Sequence, residues 1–180
     1  MSFPKPYADR VAKLRVFFGF VLVATFIWLS APTARSLAIG LPVAILGLAL
    51  RAWAAGHLEK NLDLARSGPY AHVRNPLYLG TAAVAAGFVI ASRRWELGIV
   101  FGAVFLLVYL PVVELEEQHL RSLFPAYADY ASRVPKLLPR LGAGGAKQFQ
   151  WSLYRRNREY EALAGFLAGV AILCFKAFYK

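Results

Sequence analysis

Acidic residues are scarce in this chain of 180 residues: ten Asp and Glu stand against 21 Lys and Arg, for a formal net charge of +11. Sulfur is scarcer still. The single cysteine, Cys174, lies in an apolar run, so an intrachain disulfide and a thiolate metal cluster are both excluded. No His or basic partner is near it in sequence, and it reads as a small apolar residue rather than a nucleophile. There are only three histidines, His57, His72 and His119, without Cys/His metal spacing, so no metal site is expected. No GxGxxG loop follows a strand-like run, which excludes a soluble dinucleotide-binding type of fold.

Apolar residues are abundant. They make up 58% of the chain, mean hydropathy is +0.47, and they are gathered in blocks. Blocks of that kind point to transmembrane helices rather than a soluble core. Five spans are expected: Val16 to Ser30, Leu37 to Gly56, Leu77 to Ala91, Leu97 to Val113 and Ala162 to Phe178. A span needs roughly 20 residues, with a range of about 17–25. The first and third are short and should extend into their flanks or sit where the bilayer is thin. Lys13 and Arg15 ahead of the first run, with Ala31 and Ala34 after it, imitate a signal peptide. With the sequence beginning at Met1, the run is read as a retained first span.

The basic residues fall beside and between the blocks. This suits membrane orientation and anionic lipid rather than nucleic acid. With the N-terminus inside, only Arg35, Arg93, Arg94, Lys176 and Lys180 lie on the outer side; the remaining sixteen lie inside. The expectation is a cytosolic N-terminus and an outer C-terminus, in a bacterial inner membrane. The polar connections 57–76 and 114–161 then face the cytosol. Gly40, Gly47, Ala54, Ala82, Ala86, Gly87, Gly165 and Gly169 allow close helix approach. The whole chain, 1–180, reads as one membrane domain. Its stretch 141–146, LGAGGA, reads as a flexible hinge.

Three polar stretches break the apolar pattern. The first is GPYAHVRNPLYLG at 68–80. Gly68-Pro69 forces a turn, and Pro76 holds Asn75 extended and suits the first turn of the next helix. The free N–H groups of that turn can bind an anion, Arg74 adds a donor fork, and Tyr70 and Tyr78 can stack or donate a hydroxyl. An interfacial loop with a tyrosine belt accounts for the same residues. The second is ELEEQHLRSLFPAYADYASR at 114–133, with Glu114, Glu116 and Glu117 just after a helix that Pro111 should bend. Carboxylates there must be hydrated, paired or functional. Glu117 lies one turn from Arg121 and can pair with it, and Pro125 and Pro135 should end helical turns. A plain helix boundary is the alternative. The third is KQFQWSLYRRNREY at 147–160, which reads as an interfacial helix dipping Phe149, Trp151, Leu153 and Tyr154 into lipid.

The order and spacing of GPYAHVRNPLYLG, ELEEQHL at 114–120 and PAYADYASRVPKLLP at 125–139 resemble the isoprenylcysteine carboxyl methyltransferase and phospholipid methyltransferase superfamily. RAWAAGHLEKN at 51–61 is also similar to bacterial members. The shared core covers about residues 40–140 and leaves outside it the first span and a C-terminal part, 141–180. The resemblance implies an all-α integral membrane bundle of about five transmembrane helices with a cytosolic pocket for S-adenosylmethionine. Leu64 and Ala65 would then offer backbone to the adenosine side. Tyr70, Arg74, Asn75 and Tyr78 would line the pocket, and Glu116 would meet the methionine end. Glu117 and Arg74 would lie next to it. The catalytic candidates are Arg74 and, as the nearest proton acceptor for an amine or hydroxyl, Glu117 or His119; a plain polar interfacial residue is the alternative for His119. Asn75 stands where the family commonly has His, which removes a titrating group from that position. Val112 stands where eukaryotic prenylcysteine enzymes have Arg, which argues against a prenylcysteine carboxylate as acceptor. Arg155, Arg156 and Arg158 are the candidates to bind an acidic lipid head group in its stead, with positive-inside anchoring as the alternative. The implied activity is methyl transfer to an isoprenoid or phospholipid-like substrate. The rivals are an NADPH-dependent sterol-reductase-like enzyme and a non-catalytic lipid-binding membrane protein.

Overall fold

The computed structural model describes residues 3–140 and 147–179. The expected hinge at 141–146 therefore lies outside the described residues. Among these, the regular structure is helical and no strand occurs. Helices run Lys5–Leu29 (α1), Ala34–Ala55 (α2), Pro76–Ser92 (α3), Trp95–Val104 (α4), Leu110–Leu123 (α5), Tyr127–Arg133 (α6), Trp151–Arg156 (α7) and Tyr160–Phe178 (α8). A 3-10 turn occupies Gly68–Ala71, and a π-helical turn, Phe105–Tyr109, joins α4 to α5.

Among the described residues, four helical stretches are long and apolar enough to cross a membrane: Lys5–Leu29, Ala34–Ala55, Trp95–Leu123 and Tyr160–Phe178. The third expected span, α3, is apolar but has 17 residues, about 26 Å at 1.5 Å per residue. The helical membrane bundle is thus present, with four long spans and one short apolar helix. The first helix begins eleven residues before its apolar block. Charges such as Lys13 and Arg15 sit well on a helix surface, and the helix is entered at prolines, where a missing N–H does no harm. Phe20 is 72% and Trp28 85% exposed, an outward apolar face suited to lipid.

The chain divides into two compact units. The first holds residues 1–44, 85–119 and 169–180; the second holds 45–84 and 120–168. In the first unit the core is Leu37, Ala91 and Leu173, with Phe26, Leu41 and Phe88 packed on it. Gly40 and Gly87 let α2 and α3 touch backbone to backbone: a Cβ at Gly87 would fall on the Ala44 nitrogen and the Gly40 carbonyl. At one end Ser36 Oγ donates to Ala91 O at 2.7 Å, and Lys176 donates to Ile27 O and Ser30 Oγ at 2.7 and 3.0 Å.

The turn before Pro111, where a bend was expected, is rebuilt. The Pro111 ring nitrogen has no hydrogen to give to the Leu107 carbonyl. The Tyr7 hydroxyl of α1 donates to that oxygen instead, at 2.7 Å. The turn before it has opened to π spacing, with the Leu110 N–H on Phe105 O. Such an insertion rotates everything after it. Glu114 and Glu117 end up buried, each 7% exposed.

In the second unit the core is Leu64, Tyr127 and Tyr130, with Leu120, Phe124 and Val134 against it. Helix α5 ends at Leu123 and α6 at Arg133, each shortly before the proline expected to end it, Pro125 or Pro135. The Arg121 guanidinium lies 5.5 Å from the centre of the Tyr127 ring.

Candidate functional site

The polar hairpin is built by backbone rules. Gly68 has φ of 56°, and a Cβ there would also lie 2.7 Å from His57 Nε2, so both conformation and space demand glycine. Ser67 to Ala71 then form the tight turn, and α3 starts at Pro76. The segment 130–140 straps the hairpin down. Tyr130 Oη donates to Tyr70 O at 2.7 Å, and the Arg74 N–H to Pro135 O at 2.9 Å. Asn75 Nδ2 donates to Lys136 O at 3.2 Å, and the Arg140 N–H to His72 O at 3.0 Å. The residue at 75 thus has a fixed task for which an amide suffices and a titrating ring is not needed. Tyr70 is buried; Arg74, Asn75 and Tyr78 are partly buried.

Leu64 and Ala65 line a cavity of about 180 Å³. His57, Glu59, Asp63 and Ser67 share it, and Lys147 joins from the C-terminal segment. Lys147 Nζ lies 2.6 Å from Asp63 and 3.6 Å from Glu59. Its hydrogen bond holds the Asp63 carboxyl below the ordinary value of 3.8, and the same bond lifts Lys147 above its ordinary 10.5. The cavity therefore offers both signs of charge beside an apolar wall. Charges of both signs and an apolar wall are the types of group that the amino-acid end and the base of S-adenosylmethionine would use, and in that chemical sense the residues present fit it.

The acidic motif belongs to the first unit, the hairpin and the cavity to the second. Within the motif, Glu117 is buried beside Glu114, while Glu116 and His119 are exposed. At 100° per residue His119 stands about 160° round the helix from Glu117, so the two do not face one ligand atom together.

The C-terminal segment differs most from its expected form. Only Trp151–Arg156 is helical. Phe149 and Leu153, expected to dip into lipid, lie against protein. The Phe149 ring occupies the space over Gly56 that a Cβ would need, and Leu153 is 7% exposed. Trp151 alone keeps a largely bare ring, 68% exposed. The segment is tied to the end of α2: the Gln150 N–H reaches Gly56 O at 2.9 Å, and His57 Nε2 lies 3.2 Å from Lys147 O. Asn157 Nδ2 donates to Ala55 O and Leu58 O at 2.9 and 2.8 Å, capping carbonyls that the helix end leaves open. Arg155 and Arg156 are exposed, and Arg158 pairs with Glu161.

Sequence reasoning missed Arg51, Asn157 and Glu159. Arg51 Nε and Nη2 donate to the two oxygens of Glu159 at 2.6 and 3.0 Å. An arginine at the end of an apolar helix is itself a signal, because such a charge rarely stays without a partner.

No solved structure matches this chain. It is 31% identical over 142 residues to the cobalt-zinc-cadmium resistance protein CzcN of Cupriavidus metallidurans, covering 73% of this chain and 64% of that protein. It is 30% identical over 142 residues to the nickel-cobalt-cadmium resistance protein NccN of Alcaligenes xylosoxydans xylosoxydans, covering 73% and 65%. The chain thus spans somewhat less than two thirds of each relative's length. A family model described as phospholipid methyltransferase matches residues 14–127. That match takes in most of α1, which the motif comparison leaves outside the shared core, as well as the hairpin and the acidic motif. Three of the four long apolar helices, the Arg-Asn-Pro hairpin and a glutamate-rich helix end fall within its reach, and this integral membrane protein belongs to the phospholipid methyltransferase family, within the isoprenylcysteine carboxyl methyltransferase-like superfamily.

Proposed function

We propose that the protein transfers a methyl group from S-adenosylmethionine to a lipophilic acceptor, isoprenoid or phospholipid-like, at the cytosolic face of a bacterial inner membrane. The observation that carries this reading is the strapped hairpin: four hydrogen bonds hold residues 70–75 rigid inside the family-matched region. S-adenosylmethionine, when bound, supplies a methyl group already activated on a sulfonium. The chain then needs to position the reactants and exclude water. Leu64 and Ala65 would offer backbone to the adenosine side, with Tyr70, Asn75 and Tyr78 beside it. Arg74 would hold a carboxylate with its donor fork, and Glu116 would take the ammonium. Glu117, buried, is the candidate proton acceptor if the accepting atom is an amine or hydroxyl. His119 serves that role less well because it is exposed on another face of α5. Arg155, Arg156 and Arg158 would meet an acidic head group, with the N-terminus inside and the C-terminus outside.

The test is incubation of the detergent-solubilised chain with methyl-labelled S-adenosylmethionine and total membrane lipid. Label in a lipid product is the expected result. Nicotinamide-dependent reduction with no labelled product would replace this reading with the reductase one.

The names of the two relatives add a physiological context. Among the described residues no three His, Cys, Asp or Glu side chains converge on a metal-sized space. We propose that any share in metal resistance runs through modified membrane lipid. Cells expressing Arg74→Ala protein should then lose metal tolerance and labelled lipid together; tolerance that survives without labelled lipid would break the link.

A further inference from the structure

Glu159 is 5% exposed, and both of its oxygens are held by the fork of Arg51. The third nitrogen of that fork points the other way. Arg51 Nη1 donates to Thr81 Oγ1 at 2.5 Å and reaches Leu77 O at 3.4 Å. Thr81 Oγ1 in turn donates to Leu77 O at 2.9 Å. Leu77 and Thr81 lie on the first two turns of α3, the turns that carry Tyr78 and follow directly on Arg74 and Asn75. Gly80 makes room: a Cβ there would lie 2.6 Å from Arg51 Cγ and 2.7 Å from the Gly47 carbonyl. Glu159 is itself anchored. Asn157 caps α2 beside it, Arg158 turns the chain with φ of 55°, and the Glu159 N–H bonds Tyr154 O at 3.2 Å.

We infer that Glu159 is a positioning residue: by holding the Arg51 fork it sets the first two turns of α3, and with them Tyr78 and the end of the polar hairpin. Glu159 lies beyond residue 127, where the family match ends, so this device belongs to the C-terminal segment and not to the matched core. A guanidinium is required, because only a planar fork can serve a carboxylate on one edge and α3 on the other; an ammonium cannot span both. Removing the carboxylate leaves a partly buried cation that must swing away to find water. The positional claim stands on these contacts alone. Its consequence for ligand binding rests on the methyl-transfer reading.

Hydrogen exchange on the full chain in detergent separates the two. Glu159→Gln and Arg51→Lys should both raise exchange in residues 77–84 on the order of tenfold, leaving residues 87–92 near wild type. S-adenosylhomocysteine affinity should fall by about tenfold in both, without a matching loss of kcat at saturation. Lys13→Ala, which removes an exposed cation of α1 in the first unit, should change neither readout. Wild-type exchange over 77–84 in Glu159→Gln overturns the inference, as does loosening spread equally over both stretches. If the wild-type chain binds no S-adenosylhomocysteine, the methyl-transfer reading falls, and the exchange result still decides the positional claim.

Discussion

Helices α2 and α3 meet in both units, but by different means. In the first unit Gly40 and Gly87 remove side chains, so that backbone lies on backbone and the contact is apolar. In the second, Gly47 and Gly80 do the same, and then Arg51 crosses the gap to bond Thr81 and Glu159. The four glycines are spaced by seven on each helix, which keeps them on one face. The contrast teaches where a membrane protein keeps its buried polar groups. A polar group is costly in an apolar surrounding unless it is bonded, and in the second unit the polar groups are bonded to one another around the hairpin and the cavity. The first unit holds polar groups at helix ends and beside Pro111, and it also buries Glu114 and Glu117 within α5.

That comparison can be broken most forcefully at Gly87. A Gly87→Val side chain has only backbone to push against, and we expect a loss of about 3 kcal/mol or more. The readout is loss of monodisperse protein on size exclusion and a lowered thermal midpoint. Asn157→Ala comes next. It strips the caps from Ala55 and Leu58 and should remove about 2 kcal/mol, seen as faster exchange at the end of α2 with the first unit unchanged. Smaller again are two matched hydroxyl deletions. Tyr130→Phe frees the Tyr70 carbonyl in a buried place and should lose about 1 kcal/mol; Tyr7→Phe frees the Leu107 carbonyl near the surface and should lose less. Equal losses would erase the distinction between buried and exposed polar bonds drawn here.

The smallest effect concerns Lys147 and Asp63, which are well exposed and screened by salt. The folded state holds the Asp63 pKa below 3.8, so its contribution is complete above that value and is lost as pH falls through the lower folded value. Lys147 is raised above 10.5, so its contribution persists at neutral pH and fades only on rising through that higher value. Cleavage by pepsin next to Phe149 should therefore stay slow at pH 5 and quicken only below about pH 3.8; cleavage already fast at pH 5 would show that the pair does not hold the segment.

Much of the fold was legible because apolar blocks have one use in a chain like this. The expected bounds of α2, α3 and α8 lie within three residues of those observed. The extension of α1 into its flank was expected, but not its start at Lys5, because a helix does not stop where its surface becomes charged. Nor was the π turn, where the Tyr7 hydroxyl takes the Leu107 carbonyl across 100 residues of chain. In the candidate site, Leu64 and Ala65 do line a cavity, but Lys147 could not be foreseen there, since nothing local links it to Asp63. The arginines at 155, 156 and 158 drew notice by their number. Glu159, one of ten acids and set among them, carries the buried contact.

The sequence by itself determined the helical membrane class, the tight hairpin and the ends of α5 and α6, because hydropathy, Gly-Pro geometry and proline breaks act over a few residues. It also determined family membership, since motif order survives in one dimension. Only the tertiary structure decided which charges are buried and bonded. Glu117 turns inward and Glu116 outward, and Arg51 takes Glu159 and Thr81 as partners. Those choices depend on helix rotation and on contacts between distant segments, where a single turn or an inserted π residue changes which side chain meets which.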